Sequence, residues 1–450
     1  MTTPATGPDG RGELHLALLI GGDFGAGGWR RPGSRVEELY GLGLYQELAR
    51  IAEDARFDAI FRADGLHLAG DIRVRPFARP DSIVQLSALA ATTSHIGLVV
   101  TASTSFTEPY GLARQLATLD HISNGRVGWN IVTSKGGEQN FGKTFSYGDQ
   151  QDRYRRADEH VRVAKSLWTS WDEDAIVIDR SPGGLYADRD RIRPIDHDGD
   201  HFAVAGPLVV PRSPQTYPVL AQAGASDSGK DFAARHAELV FVAATDLRAT
   251  IDYADDLEVR LGQYGRSRHD IRILPGIKPI LGSTEAEARQ RYQELAEITD
   301  WDSALRQVGH ELGQVDLSGL RRDLPIPAER FTVGVSELFY RQSRPELLRR
   351  FALQDGHTLE DVVRAVLLGA GHYAFVGTPE QLADELERWW RSGAADGFNI
   401  IPPDIASVAG FAETVVPLLQ QRGIFRRDYT ATTLRGHLGL RLDADRGDRE

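Results

Sequence analysis

The sequence predicts a (β/α)₈ barrel, because short apolar runs alternate with amphipathic segments of helix length along the chain. A chain of 450 residues is within the range of such barrels when they carry insertions. Eight apolar runs suit a closed barrel, whereas an open doubly wound sheet would need about six. The eight predicted strands are Leu14–Ile20, Phe57–Ala63, Ile96–Ala102, Arg126–Val132, Pro218–Ala223, Ala237–Ala243, Ile271–Leu281 and Asp396–Ile401.

Residues 1–435 are predicted to form one domain with two insertions. The first insertion, at about 172–214, is rich in Pro, Gly and Asp and follows the helix after strand four. The second, at about 299–372, lies between strands seven and eight. Insertions at the C-terminal face of a barrel commonly shape the substrate site. The last residues, 436–450, are charged, and we expect them to form a flexible tail.

The composition excludes several classes of protein. The net charge of −12 and a pI of about 5.6 argue against a nucleic-acid partner and against a membrane surface, because both require a basic face. The chain has no Cys, which excludes disulfides, thiolate nucleophiles and Cys-based metal sites. No apolar run approaches the roughly 18 residues of a spanning helix, and the first residues do not resemble a secretory signal. We expect a cytoplasmic protein without a metal site.

Polar residues follow or interrupt three of the predicted strands. Asp64 comes after strand two and could accept hydrogen bonds from a ligand, or could cap the following turn. Ser103 and Thr104 follow strand three and could line a ligand, although short hydroxyl residues are also common in turns. Asn130 lies inside strand four, where Asn is disfavoured, and its buried amide needs hydrogen-bond partners.

A run of small residues follows strand five and leads into a helix. It extends from Ala223 to Gly229 and contains Ala225 and Ser226. Backbone N–H groups at such a helix start suit a phosphate, and Ser226 could add a hydroxyl donor. The alternative is an ordinary N-cap serine with no ligand.

Several segments spread along the chain match the motifs of one enzyme family. They are FDAIFRADGL (57–66), EPYGLARQLATLDHISNGRVGWNIVTS (108–134), NFG followed by QDRYRRADEH (140–160), LWTSWDEDA (167–175), DHDGDHFAVAGPLVVPRSPQTYPVLAQAGASDSGKDFAARHAELVF (196–241), GTPEQLADEL (377–386) and DGFNI (396–400). These segments resemble the bacterial-luciferase-like monooxygenases, in the branch with nitrilotriacetate monooxygenase, dibenzothiophene-sulfone monooxygenase, pristinamycin synthase component A and long-chain alkane monooxygenase. The resemblance extends from about Leu14 to Tyr429.

The resemblance implies a two-component system. A separate NAD(P)H-dependent flavin reductase would supply FMNH₂, and the barrel would bind it at its mouth and react it with O₂. The resulting flavin C4a-peroxide would oxidise a small organic substrate that contains sulfur or nitrogen. Members of the family are homodimers or homotetramers, and we expect the same here. A deazaflavin-dependent oxidoreductase and a non-catalytic flavin-binding paralogue are the alternatives.

Positions that match the family motifs imply a cofactor site, and two departures leave the catalytic residue unassigned. Relatives often have His where this chain has Gln150, and the alkane enzyme has His at the position of Lys135. Gln can still hydrogen-bond the cofactor, but it cannot carry a proton near neutral pH. The implied flavin-binding residues are Asp64, Ser103, Thr104, Asn130, Gln150, Tyr154, Ala225 and Ser226.

Overall fold

A computed structural model of the chain contains the expected barrel. Its described strands, in chain order, are β1 His15–Leu19, β2 Ala59–Phe61, β3 Gly97–Ser103, β4 Val127–Val132, β5 His197–Asp198, β6 Ala203–Val204, β7 Val219–Gln222, β8 Leu239–Val242, β9 Arg272–Leu281, β10 Tyr373–Gly377 and β11 Gly397–Ile400. The structure describes residues 12–21, 28–68, 72, 76, 79–134, 136–142, 149–298, 300–332, 334, 343–354, 356–369 and 371–442.

Eight parallel strands close the barrel. Their order is β1, β2, β3, β4, β7, β8, β9 and β11, and β11 pairs back to β1. These eight strands coincide with the eight predicted ones. Seven are shorter at one or both ends, and β3 ends one residue later than predicted, at Ser103. The extra strand β10 pairs with the second half of β9 and was not predicted. It begins directly after the second insertion, beside the part of β9 that extends past its pairing with β8.

Helices cover the outside of the barrel, as the alternating pattern requires. None of the described helices is long and apolar enough to cross a lipid bilayer. The described helices are α1 Gly43–Asp54, α2 Ser82–Ala90, α3 Pro109–Ile122, α4 Gln150–Trp168, α5 Asp227–His236, α6 Leu247–Gln263, α7 Glu285–Glu297, α8 Trp301–Glu311, α9 Ser343–Ala352, α10 Leu359–Gly369, α11 Pro379–Arg391, α12 Ile405–Gln421 and α13 Leu434–His437.

One interior layer of the barrel combines two aromatic rings with two amides. Phe61 of β2 and Phe241 of β8 stack with ring centroids 4.3 Å apart. Asn130 of β4 and Asn399 of β11 also stand four strands apart, and the residues on either side of each pack in the outer core. Four side chains from alternate strands are the usual content of one barrel layer.

The chain beyond Thr433 closes the other end of the barrel. Leu434 is fully buried, and a Cβ on Gly97 or Gly128 would come close to its side chain. Leu438 and Leu440 join the same interior cluster. The prediction of a loose segment from residue 436 is therefore wrong up to Leu442. Apolar side chains alternate with the charged ones there and pack into the barrel end. Residues 443–450 lie outside the described part.

Both predicted insertions are present, and each is attached by its own contacts. In the first, β5 and β6 form a short antiparallel hairpin. The buried carboxylate of Glu159 on α4 accepts hydrogen bonds from the backbone N–H groups of His201 and Phe202, at 3.1 and 3.0 Å. In the second, α8, α9 and α10 bury a separate apolar cluster that includes Val308 and Val362.

Candidate active site

The start of α5 carries a serine whose hydroxyl is held from two sides. Ser226 is the N-cap of α5, and its Oγ accepts a hydrogen bond from Gly229 N at 3.2 Å. The same Oγ accepts a hydrogen bond from Gln150 Nε2 at 3.1 Å. A hydroxyl has two acceptor positions and one proton to donate. With both acceptor positions used, Ser226 can still donate its proton to an anion at the helix start.

Two glycines bring the loop after β7 close to this helix. A Cβ on Gly229 would lie 3.1 Å from Gly224 Cα and 3.0 Å from the hydroxyl of Tyr154. A Cβ on Gly224 would lie 3.2 Å from Gly229 Cα. Ala225 lies between Gly224 and the N-cap Ser226, in this same loop. The predicted residues Gln150, Tyr154, Ala225 and Ser226 are therefore brought together in space.

A second group of predicted residues is joined by a chain of hydrogen bonds. Asp64 Oδ2 accepts a hydrogen bond from Ser82 N at 3.1 Å, at the start of α2. Ser82 Oγ donates to Thr101 O at 2.6 Å, and Thr101 Oγ1 accepts from Asn130 Nδ2 at 2.9 Å. Asp64 and Asn130 are thus linked through Ser82 and Thr101, which the sequence analysis did not single out.

Burial shifts the pKa values of two charged residues in this region, Asp64 and Arg62. Burial raises the pKa of Asp64, although hydrogen bonds from Gly65 N and Ser82 N act in the opposite direction. Burial also lowers the pKa of the fully buried Arg62, and the charge of Arg79 lowers it further. Perturbed ionisable groups at a barrel mouth are typical of functional sites.

Ser103 and Thr104 lie at the end of β3, beside the end of β4. Both are buried. Thr104 donates from its backbone N to Val132 O at 3.0 Å, and its hydroxyl lies 3.3 Å from the same oxygen. Ser103 Oγ accepts from Ser105 N at 3.3 Å. Their local bonds fit the turn-forming alternative as well as a ligand role, so their contact with a cofactor stays a prediction.

Asn130 and Asn399 each have a buried amide oxygen with no hydrogen-bond partner among the described residues. A buried polar atom of this kind calls for a missing ligand or water. Asn130 was predicted as a site residue, and Asn399 was missed. The signal was the same in both cases, an Asn inside a strand, and DGFNI contains it.

His372 is a further residue that sequence reasoning missed. A Cβ on Gly276 in β9 would overlap Nδ1 of His372, so the imidazole occupies the space above this glycine. Gly276 pairs with Asn399, which places His372 over the β9 and β11 wall of the mouth. The histidine lies in GAGHYA, which has no recognisable strand-turn-helix context, and no local pattern there indicates a functional residue.

Two further observations concern the chain after β3 and β4. The rings of Phe106 and Phe141, after β3 and β4, have centroids 4.2 Å apart, in line with an apolar wall. Lys135, one of the two departures from the family pattern, lies outside the described residues.

A protein-family model described as luciferase-like monooxygenase matches residues 30–396. The chain belongs to this family. This luciferase-like monooxygenase is 38% identical over 439 residues to N-acetyl-S-(2-succino)cysteine monooxygenase of Bacillus subtilis, covering 96% of this chain and 98% of the relative. It is 39% identical to nitrilotriacetate monooxygenase component A of Aminobacter aminovorans, covering 92% and 93%. The protein is therefore an enzyme, a flavin-dependent monooxygenase, and the non-catalytic alternative is not favoured.

Solved structures separate the remaining alternatives for this luciferase-like monooxygenase. A riboflavin lyase crystallised with modified FMN and riboflavin superposes with a TM-score of 0.80 at 30% identity, covering 95% of this chain and 96% of that one. An F420-dependent tetrahydromethanopterin reductase from Methanopyrus kandleri reaches a TM-score of 0.55 at 15% identity, covering 90% and 99%, which shows a shared fold alone. The deazaflavin alternative is therefore not favoured.

Proposed function

We propose that this chain is the oxygenating component of a two-component system, which receives reduced FMN from a separate NAD(P)H-dependent flavin reductase. Its substrate is a small organic molecule that contains sulfur or nitrogen. Relatives named for nitrilotriacetate and for N-acetyl-S-(2-succino)cysteine support this class of substrate, and the word "component" in one of those names supports a partner protein. We also propose a cytoplasmic homodimer or homotetramer.

The observation that carries the proposal is the hydroxyl of Ser226. Because Gln150 and Gly229 occupy its acceptor positions, its proton remains for a phosphate oxygen at the positive end of α5. The hydroxyl of Tyr154 lies next to Gly229 and adds a second donor. The donor set therefore fits the phosphate of FMN.

The remaining predicted residues would hold the ring system. Asn130 and Asp64 offer amide and carboxylate groups at the mouth, and the unpartnered oxygen of Asn130 fits an N–H donor of a flavin. Ser103 and Thr104 would line the ring's edge, and Ala225 would leave the backbone open to the phosphate. Bound reduced flavin supplies the electrons that activate O₂ for transfer of one oxygen atom to the substrate. The protein orients the substrate and excludes water.

An isotope experiment tests the proposal. The protein is incubated with FMN, a flavin reductase, NADH and ¹⁸O₂, and a thioether, a sulfone and an aminocarboxylate are offered in turn. We expect one ¹⁸O atom per oxidised product and no product when the reductase is left out. Product that carries oxygen from water, or product formed without flavin, would contradict the proposed chemistry.

A further inference from the structure

Gln222 is a buried glutamine at the end of β7, directly before the loop that leads to α5. It is only 4% exposed, and it is not among the predicted flavin-binding residues. A glutamine amide carries two donor hydrogens and an acceptor oxygen, and its burial is unfavourable unless these groups find partners. The partners of Gln222 therefore indicate what the side chain does.

The oxygen of this amide is bound within the loop after β7. Gln222 Oε1 accepts a hydrogen bond of 2.7 Å from Gly224 N. Because a backbone N–H can only donate, the atom that faces it must be the oxygen, and the amide nitrogen takes the other end. The bond to Gly224 therefore assigns the orientation of the side-chain amide.

The nitrogen of the amide lies against the backbone of the same loop. A Cβ on Gly224 would overlap Gln222 Nε2, so only a glycine lets the amide come this close. Within the described part of the chain, no oxygen accepts a hydrogen bond from Gln222 Nε2. Its N–H donors are thus available to a ligand that reaches the loop.

Other donors of the candidate phosphate site lie around the same two glycines, Gly224 and Gly229. A Cβ on Gly224 would lie 3.2 Å from Gly229 Cα, and a Cβ on Gly229 would lie 3.0 Å from the hydroxyl of Tyr154. Ser226 Oγ accepts from Gly229 N at 3.2 Å. Gln222 Nε2 therefore belongs to this cluster, and a phosphate has three terminal oxygens that can accept from several donors at once.

Hydrogen bonds hold Gly224 from both sides. Its N–H is bound to Gln222, and its carbonyl oxygen accepts from the hydroxyl of Tyr253, on α6, at 3.4 Å. Burial raises the pKa of Tyr253, so this hydroxyl remains a protonated donor. Contacts within the protein therefore order the loop and the amide of Gln222, which reduces the entropy lost when a ligand binds.

Lys230, in α5, directs its charge toward α6. Its Nζ lies 2.6 Å from Asp256 Oδ2 and 5.4 Å from the ring centroid of Tyr253, both on α6. The ammonium is thus already paired with a carboxylate. An anion at the start of α5 gains less from this charge, so uncharged donors such as an amide N–H contribute more of its binding.

We propose that Gln222 is a further phosphate-binding residue of the flavin site, whose Nε2 donates to a phosphate oxygen while its Oε1 holds Gly224 N. This inference rests on the proposed function, because the anion is the phosphate of FMN. The alternative is that Gln222 only braces the loop. The two roles use opposite ends of the amide, so substitutions that remove one end or both can separate them.

Titrations with FMN and with riboflavin test this assignment, because riboflavin lacks the phosphate. Gln222→Glu keeps the oxygen that accepts from Gly224 N but removes both N–H donors, and Gln222→Met removes both ends at similar length. We expect each variant to lose at least about tenfold of the preference for FMN over riboflavin, the effect of one charge-assisted hydrogen bond. Gln263→Glu, the same change at an exposed position of α6, should leave the preference unaltered.

A crystal soaked with FMN supplies the direct observation, and melting temperatures without flavin verify that the variants are folded. We expect a phosphate oxygen within about 3.2 Å of Gln222 Nε2. A phosphate beyond hydrogen-bond reach of Nε2, or an unchanged FMN preference in either variant, would overturn the role of Gln222 alone. Absence of flavin binding in the unaltered protein would instead overturn the proposed function.

Discussion

Gln150 Nε2 donates a hydrogen bond of 3.1 Å to Ser226 Oγ and so joins the first residue of α4 to the N-cap of α5. The family resemblance implies His at the position of Gln150 in many relatives. A neutral amide keeps the donor function at every pH, whereas an imidazole would change its charge near neutrality. We therefore expect the phosphate site of this chain to lack a pH dependence of its own.

Gln150→Glu should weaken FMN binding more than Gln150→Ala. A carboxylate would accept the proton of Ser226 and repel the phosphate, whereas Ala removes only one donor. We expect a loss of at least about tenfold for Glu. Fluorescence titrations with FMN and with riboflavin measure this, since riboflavin lacks the phosphate and should be affected little. Equal losses of affinity for FMN and for riboflavin would show that residue 150 does not act on the phosphate.

Asp64→Asn should stabilise the fold more at pH 7 than at pH 4. Burial raises the pKa of Asp64 in the folded state above the unfolded value of about 3.9. The folded protein therefore holds this proton more tightly, and the unaltered protein loses stability as pH rises through that window. Melting temperatures of both proteins between pH 4 and 7 measure the difference, and a gap that narrows with rising pH would refute the account.

Gly276→Ala should destabilise the protein, because its Cβ would overlap His372 Nδ1. Overpacking of this kind costs about 1–3 kcal/mol. Gly410→Ala is the matched control, because nothing lies within 4 Å of a Cβ there and Ala favours the interior of α12 by up to about 1 kcal/mol. Urea unfolding of the two variants should give changes of opposite sign. The same sign for both would mean that His372 does not occupy the space above Gly276.

Leu434→Ala should destabilise the barrel by about 2–5 kcal/mol, since it removes a fully buried side chain that contacts the floor of the barrel. Leu353→Ala, at a position that is 48% exposed, is the control and should change stability much less. Denaturant unfolding at pH 7 measures both. Similarly small changes in the free energy of unfolding for both variants would mean that α13 is only loosely attached to the barrel.

The barrel itself could be predicted because its strands are apolar runs, buried on both faces and separated by helical segments. Residue-level placement was harder. Asn130 and Asn399 carry the same signal, an amide inside a strand, but only Asn130 was chosen as a site residue, although DGFNI was also among the matching segments. The strand Tyr373–Gly377 was missed because its partner is the far half of β9, which no local pattern indicates.

Two other features depend on contacts that are remote in sequence. The imidazole of His372 occupies the space above Gly276, which lies almost a hundred positions earlier in the chain, so no local pattern indicates its place at the mouth. The chain after Thr433 looks charged and loose, yet Arg435 forms a buried ion pair with Glu238. Ser226, by contrast, was predicted from small residues before a helix, a signal contained within a few residues.

The central claim is that Ser226 donates its hydroxyl proton to the phosphate of bound flavin. The most direct measurement is the ratio of the dissociation constants for reduced riboflavin and reduced FMN, determined anaerobically for the unaltered protein and for Ser226→Ala. We expect the unaltered protein to prefer FMN strongly and the variant to lose about tenfold of that preference, the effect of one charge-assisted hydrogen bond. An unchanged ratio would contradict the account.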